Sequence, residues 1–267
     1  TNSRILHKFM LKPEVVYKER EFLVINKPAG LLVHKTTKFS DEATLVDWLL
    51  TNYPEVKGVG DDPKNRPGIV HRLDRATSGV MIIPRNQEYF EYLKNLFKEK
   101  RVKKTYLALV YGKPKDKMGV IDKPIGLKQG SIKRTVFGGK MKKEAVTEYR
   151  IISGFRCPFV AKALAGRRVL GARGREKSFQ DFSLLKVAPK TGRTHQIRVH
   201  LASVGCPVLN DPIYAPKREK VGTGRLMLHA LTIEFIQKNG RGMRFEADPP
   251  KEFGEIIKEL ESRSHKG

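Results

Sequence analysis

Asp74 stands between two arginines in the stretch His71-Arg72-Leu73-Asp74-Arg75-Ala76-Thr77-Ser78-Gly79. Opposite charge nearby favours a carboxylate as the anion, the form that attacks an electrophilic carbon or steadies positive charge developing on it. The same order of charges also makes a plain ion pair at a turn, and charge alone leaves both readings open. Ile69 and Val70 lead into the stretch and Val80-Met81-Ile82-Ile83 follow it. Gly79 and the small polar residues before it suit a loop, so the pattern predicts a loop between two buried strands with Asp74 at a strand end.

Other residue types tempt a metal reading and do not sustain it. His195 and His200 lie five apart, whereas two ligands on one helix face want a spacing of three or four. With His71 they find no further ligand at recognisable spacing, and Cys157 and Cys206 are too few for a Cys-based site or a disulfide framework. No metal and no cofactor are expected. Lys27-Pro28-Ala29-Gly30 lacks the spacing of a phosphate-cradling loop.

The elements that must position these residues can be read in order. Val15-Val16-Tyr17 and Phe22-Leu23-Val24-Ile25 predict strands around the turn Lys18-Glu19-Arg20. Leu45, Trp48, Leu49 and Leu50 recur at helical spacing within 44–53, with Ser40 or Asp41 as the expected cap. The Gly-, Pro- and Asp-rich stretch 54–67 is a loop. Asn86 can cap a helix running to Arg101, with Tyr89, Phe90, Leu93, Leu96 and Phe97 on one face and basic residues at its end. Thr105 to Tyr111 predicts a strand, with Tyr106, Ala108 and Val110 on one face. Phe137-Gly138-Gly139-Lys140 suits a hairpin turn, and Phe182 to Val187 a further strand. Thr194 to Val204 predicts a helix ended by Gly205, with Ile197, Leu201 and Val204 inward. Strands near 226–236 and 243–247 precede a helix over 250–260. Few helices among many short strands indicate an α+β fold with a mainly antiparallel sheet.

The 267 residues can bury a substantial core, and 39% hydrophobic content with a mean hydropathy of −0.44 indicates a globular chain. No apolar run approaches the ~20 residues that span a bilayer. The opening residues lack the apolar stretch of a secretion signal and an initiating Met. A reducing, cytoplasmic setting and a monomer are expected, with no membrane association. Lys and Arg number 53 against 28 acids, a net charge of +25. Such an excess attracts polyanions, nucleic acid foremost, and does not by itself separate RNA from DNA.

Gly68-Ile69-Val70-His71-Arg72-Leu73-Asp74-Arg75-Ala76-Thr77-Ser78-Gly79-Val80 closely resembles the signature of the RluA-type RNA pseudouridine synthase family. Three more stretches resemble its motifs, in the family's order: Asn26 to His34, Lys104 to Val110, and Thr191 to Leu201; Leu228-His229-Ala230 is a weaker echo. The resemblance spans roughly residues 15–250. It implies a pseudouridine synthase fold: one mixed, mainly antiparallel sheet, flanking helices and a central cleft. It implies RNA, rRNA or tRNA, as the partner, and isomerisation of uridine without a cofactor. Asp74 would be the carboxylate at the sugar, either as nucleophile or as the group assisting glycal formation. Tyr106 would stack on the flipped base and move a proton, and Arg198 would pair with Asp74. His71, Arg72, Arg75, Lys27, Arg193 and His195 are the expected substrate-binding or loop-organising residues, with Arg72 facing RNA and Lys27 shaping the cleft wall.

The resemblance also bounds the organisation. Residues 1–14 read as a basic lead-in, 15–262 as one catalytic domain, and no S4-type domain is expected ahead of it. Residues 155–179 depart from the family's quick passage between strands. They carry Arg156, Lys162, Arg167, Arg168, Arg173, Arg175 and Lys177 against Glu176, and predict a projecting basic hairpin or loop. The sequence also admits two rivals. A non-catalytic RNA-binding or ribosome-associated protein would explain the charge and leave Asp74, Tyr106 and Arg198 idle; a metal-dependent nuclease is disfavoured by the histidine spacing.

Overall fold

The computed structural model describes residues 11–35, 42–131, 133–159, 178–215 and 220–264. Strands β1 (Glu14–Lys18) and β2 (Phe22–Lys27) open the chain, followed by helix α1 (Leu45–Asn52). Strand β3 (Ser78–Pro84) and helix α2 (Gln87–Lys98) come next, then β4 (Lys103–Tyr111) and β5 (Met118–Asp122). Three short strands follow, β6 (Ile125–Leu127), β7 (Arg134–Thr135) and β8 (Lys140–Lys143). The long pair β9 (Val146–Phe159) and β10 (Ser178–Pro189) leads to helix α3 (Gln196–Ser203). Strands β11 (Leu228–Ile236) and β12 (Gly242–Glu246) and helix α4 (Lys251–Ser264) complete the described fold.

Nine strands form one sheet in the order β1-β2-β3-β11-β4-β10-β9-β5, with β12 beside β11. Every pair is antiparallel except β3 with β11, which run parallel and meet only at Ser78–His229 and Gly79–Ala230. The α+β class and the mixed, mainly antiparallel sheet are therefore as expected. β3 is buried along its whole length, which is why it reads as an unbroken apolar run rather than an alternating one. Burial divides into two main cores. One gathers β2, β3, α1 and α2 around Phe22, Ile25, Leu49, Met81 and Leu93; the other gathers β4, β10, α3 and α4 around Leu109, Leu185, Leu201 and Phe253. Tyr106 packs against both. The cleft lies where they meet.

Gly79 makes that junction possible. Its φ is +122°, and a Cβ there would lie 2.2 Å from the Ala230 carbonyl oxygen. Backbone faces backbone, so nothing can yield cheaply. Gly79→Ala is expected to lower unfolding free energy by at least about 1–3 kcal/mol, the usual cost of overpacking. Urea denaturation reads this directly, and an unchanged midpoint would mean the two strands are not held so close.

Several expectations are corrected. No strand leads directly into the Asp74 stretch: Ile69 and Val70 lie outside any strand, half-buried against the first core. Helix α1 is capped by Thr44 in a reciprocal box with Asp47; Ser40 and Asp41 lie outside the described residues. Phe137 to Lys140 closes no hairpin, because β7 and β8 flank β6 and do not pair with each other. Helix α3 begins at Gln196 after a left-handed His195 and ends at Ser203, leaving Val204 39% exposed. The described arms of the 155–179 segment are paired strands, in line with the hairpin alternative: β9 and β10 stay together out to Phe159–Ser178. Residues 160–177, and 1–10 of the lead-in, lie outside the described residues. Among the described residues no helix is long and apolar enough to cross a membrane.

Candidate active site

The loop carrying Asp74 is held from beneath. The Lys27 ammonium, fully buried at the end of β2, donates to the carbonyl oxygens of Pro28 (2.9 Å), Leu31 (2.9 Å) and Arg75 (3.3 Å). The Arg75 carbonyl also accepts the Gly30 N–H at 2.7 Å. Burial pushes the Lys27 pKa down to about 7. On the other side His71 Nε2 accepts the Ile82 N–H at 3.0 Å, where β3 has already parted from β11. The His71 ring stacks on Phe97 with centroids 4.8 Å apart, and burial drops its pKa to about 3, so it stays neutral as the acceptor. A side chain thus takes the place of a neighbouring strand.

Opposite this loop, α3 presents Arg198, only 3% exposed. Its Nη1 donates to Asp74 Oδ2 at 3.1 Å. Its Nε and Nη2 make a two-pronged pair with Asp211 Oδ2 and Oδ1, at 2.7 and 2.8 Å. Asp211 Oδ1 also accepts the N–H groups of Ile213 (2.8 Å) and Tyr214 (3.1 Å), and the Tyr214 ring lies under the guanidinium at 5.3 Å. Burial works against the charge of Arg198, but Asp211 and then Asp74 outweigh it and hold its pKa above the ordinary value. The planar fork fixes direction as well as charge, so Arg198 aims Asp74 from a frame that cannot turn.

His195 completes this wall. Its Nε2 lies 3.7 Å from Asp74 Oδ2, and its Nδ1 is 3.1 Å from the Tyr214 hydroxyl. That hydroxyl also accepts the Arg134 N–H at 3.2 Å. Burial lowers the His195 pKa against the pull of Asp74 and so favours the neutral ring beside the carboxylate.

These groups border a cleft of about 540 Å³, the size of a small-ligand site. Among the described residues its lining holds one acid, Asp74, beside Arg72, Lys98, Lys100, Lys104, Lys190, Arg193 and Arg198. Tyr106 faces it from β4. Burial, with the charge of Asp74 added, holds the Tyr106 pKa well above the ordinary phenol range, so the ring brings an aromatic face and an O–H rather than a resting base.

A family model described as RNA pseudouridylate synthase matches residues 21–203. The chain belongs to that family. It is 36% identical over 242 residues to an uncharacterized RNA pseudouridine synthase of Chloroflexus aurantiacus, covering 90% of this chain and 66% of that one. It is 33% identical over 239 residues to the ribosomal large subunit pseudouridine synthase D of Borreliella burgdorferi, again covering 90% and 66%. The chain thus matches just under two thirds of the length of these relatives. The solved structure of human RNA pseudouridylate synthase domain containing 1 superposes with a TM-score of 0.66 at 26% identity, covering 90% of this chain and 84% of that one. The RluA-type resemblance and the pseudouridine synthase fold stand on these matches.

Within this family member, the structure brings Asp74, Tyr106 and Arg198 to one cleft from three separate stretches. His71, Arg72, Arg193 and His195 line it too. Two expected substrate-binding residues do not. Lys27 is sealed beneath the loop, its donors spent on carbonyls, and Arg75 turns outward to Glu42 at 2.8 Å and the Gly30 carbonyl at 3.1 Å. The late echo proves central: His229, fully buried on β11, bonds through Nδ1 to Ser78 Oγ (2.8 Å) and through Nε2 to the Ala247 carbonyl (2.8 Å). Sequence reasoning missed Asp211 and Tyr214. It also missed Gln196, which braces the 191–196 turn by bonding Thr191, Arg193, Val146 and Thr147. Of the cleft-rim lysines, Lys98 and Lys100 read in the sequence only as charge at a helix end, and Lys104 as the first residue of a motif-like stretch.

Proposed function

We propose that this chain isomerises uridine in RNA to pseudouridine, with Asp74 acting at C1′ of the ribose. One observation carries the reading: a single carboxylate, aimed by a buried arginine, lies in an otherwise cationic cleft with a neutral tyrosine across from it. Breaking N1–C1′ leaves positive character on the sugar, which an anion at C1′ can capture or relieve. The freed uracil turns, C5 bonds to C1′, the C5 proton leaves and N1 gains one. Atoms balance without any redox step. Asp74 can serve as nucleophile or as the base that forms a glycal, and both begin from the same position. Tyr106 supplies the stacking face for a base lifted out of its helix, and Arg72 and Arg193 face the RNA strand. Ribosomal or transfer RNA in the cytoplasm is the proposed target, and the name of the Borreliella relative favours the ribosomal one.

Incubation with RNA labelled at uridine C5 with tritium, in the presence of a chelator, tests this. Tritium release with intact RNA supports isomerisation; binding without release would reduce the protein to an RNA-binding factor, and shortened RNA would make it a nuclease. Tyr106→Phe keeps the ring and removes the O–H. Single-turnover isomerisation is expected to fall by roughly 10²-fold with little change in RNA affinity, and an unchanged rate would leave Tyr106 a stacking residue alone.

A further inference from the structure

The cleft continues past His71 to an end that the chemistry at Asp74 does not use. Phe97, at the last turn of α2, and Lys98, Lys100 and Lys104 form this end. Lys104 is half-buried on β4 with its ammonium 5.8 Å from the Phe97 ring centroid. Among the described residues, no carboxylate lies within ion-pair distance of any of the three lysines, and the acid between them in sequence, Glu99, is taken by Arg101 at 3.2 Å. Burial lowers the pKa of Lys104 with no opposing charge to offset it. A cation that loses water without gaining an anion is a cost to the folded protein until a ligand supplies one.

Lys100 adds an independent observation. Helix α2 ends in a Schellman motif: the Arg101 N–H bonds to the Leu96 carbonyl (2.9 Å) and the Lys100 N–H to that of Phe97 (3.2 Å). The residue at this point must be left-handed, and Lys100 has φ +59°. Glycine is the usual occupant because it has no Cβ to strain. A strained lysine here, lining the cleft, is a local choice that the helix end does not explain. Favourable charge at a helix C-terminus accounts for Lys98 at most.

We propose that Lys98, Lys100 and Lys104 form a phosphodiester-binding subsite at the far end of the cleft, taking the backbone of a nucleotide that flanks the target uridine. This rests on the RNA reading of the site. A uridine at Asp74 must be drawn from a continuous strand, and a charge clamp on its neighbour would hold the strand in place while the base is turned. A free mononucleotide or inorganic phosphate shares the chemistry, and the test separates them.

Binding of a fluorescein-labelled single-stranded RNA dodecamer is measured by anisotropy from 50 to 300 mM KCl for two triple variants. In one, Lys98, Lys100 and Lys104 become Gln; in the other, the exposed Lys57, Lys64 and Lys115, which do not line the cleft, become Gln. At ~0.7 per phosphate contact, the cleft triple is expected to show a log–log salt slope shallower by about two, and the control triple no such change. Equal changes, or none, overturn the subsite. Inorganic phosphate that competes at or below the RNA's own phosphate concentration would show a small-anion site instead. Lys100→Gly guards against a folding artefact: it should raise the melting temperature while making the slope shallower by about 0.7. A rise in melting temperature with an unaltered slope removes Lys100 from the site. Tritium release by the wild-type protein is scored separately. If it fails while the slope changes, the isomerase reading falls and the phosphate subsite stands; the reverse pattern sinks the subsite alone.

Discussion

Asp74→Asn is expected to leave RNA bound and to slow isomerisation by on the order of 10³-fold or more. The substitution changes almost nothing in size. An amide oxygen can still accept from Arg198 Nη1, now 3.1 Å from Oδ2, and Lys27 still ties the loop through backbone carbonyls. What disappears is the anion at C1′, which either route of glycosidic cleavage requires. Removing the one acid that the described residues bring to a cleft lined by seven Lys and Arg side chains should also tighten RNA binding slightly. Single-turnover assays on tritiated RNA measure the rate, and filter binding the affinity. A variant within tenfold of wild type would remove Asp74 from the chemistry.

Asp211→Ala is expected to cost about 3–5 kcal/mol of unfolding free energy, because it strands a buried guanidinium beside two N–H groups that lose their acceptor. Arg198→Ala should cost a similar amount by stranding the Asp211 carboxylate. Removing both charges together, as Arg198→Met with Asp211→Leu, should recover much of that loss, since well-packed apolar residues often replace a buried ion pair without penalty. Activity should not return with stability, for Asp74 has then lost the group that aims it. Urea denaturation of the two single variants and the double, with tritium release beside it, separates the roles. A double variant no more stable than the singles would show that the pair is not one coupled unit, and one that regains activity would show that Asp74 needs no aiming.

The sequence disclosed the reacting groups more fully than the groups that hold them. Asp74, Tyr106 and Arg198 sit in stretches whose wording resembles known motifs, and their convergence follows from strand order. Asp211 carried no comparable signal: one acid before a proline in a chain of 28 acids shows no periodicity, and its partner lies 13 residues away on a helix. The burial of Lys27 is illegible in the sequence because lysine is rarely buried, and three converging carbonyls make it tolerable here. Ile69 and Val70 read as a strand because a short apolar run has no period to betray it. Their backbone neighbours are turns, and the edge of β3 beside them is occupied by the His71 ring. Helical spacing points Val204 inward, but α3 stops one residue before it.

The junction between the two cores has a consequence for how this protein can fail. Asp74 hangs from the β3 side, next to Leu73 in the first core, while Arg198 rises beside Ile197 and Leu201 in the second. The 3.1 Å contact between them therefore works as a caliper, reading the spacing of two masses joined through β11, which meets β3 at only two register pairs. Damage to either mass, however far from the cleft, shifts one jaw against the other. A displacement of an ångström is small for a fold and large for an in-line reaction. Catalysis will then register injuries that unfolding experiments pass over, and an inactive variant with a normal melting curve need not carry its lesion anywhere near Asp74.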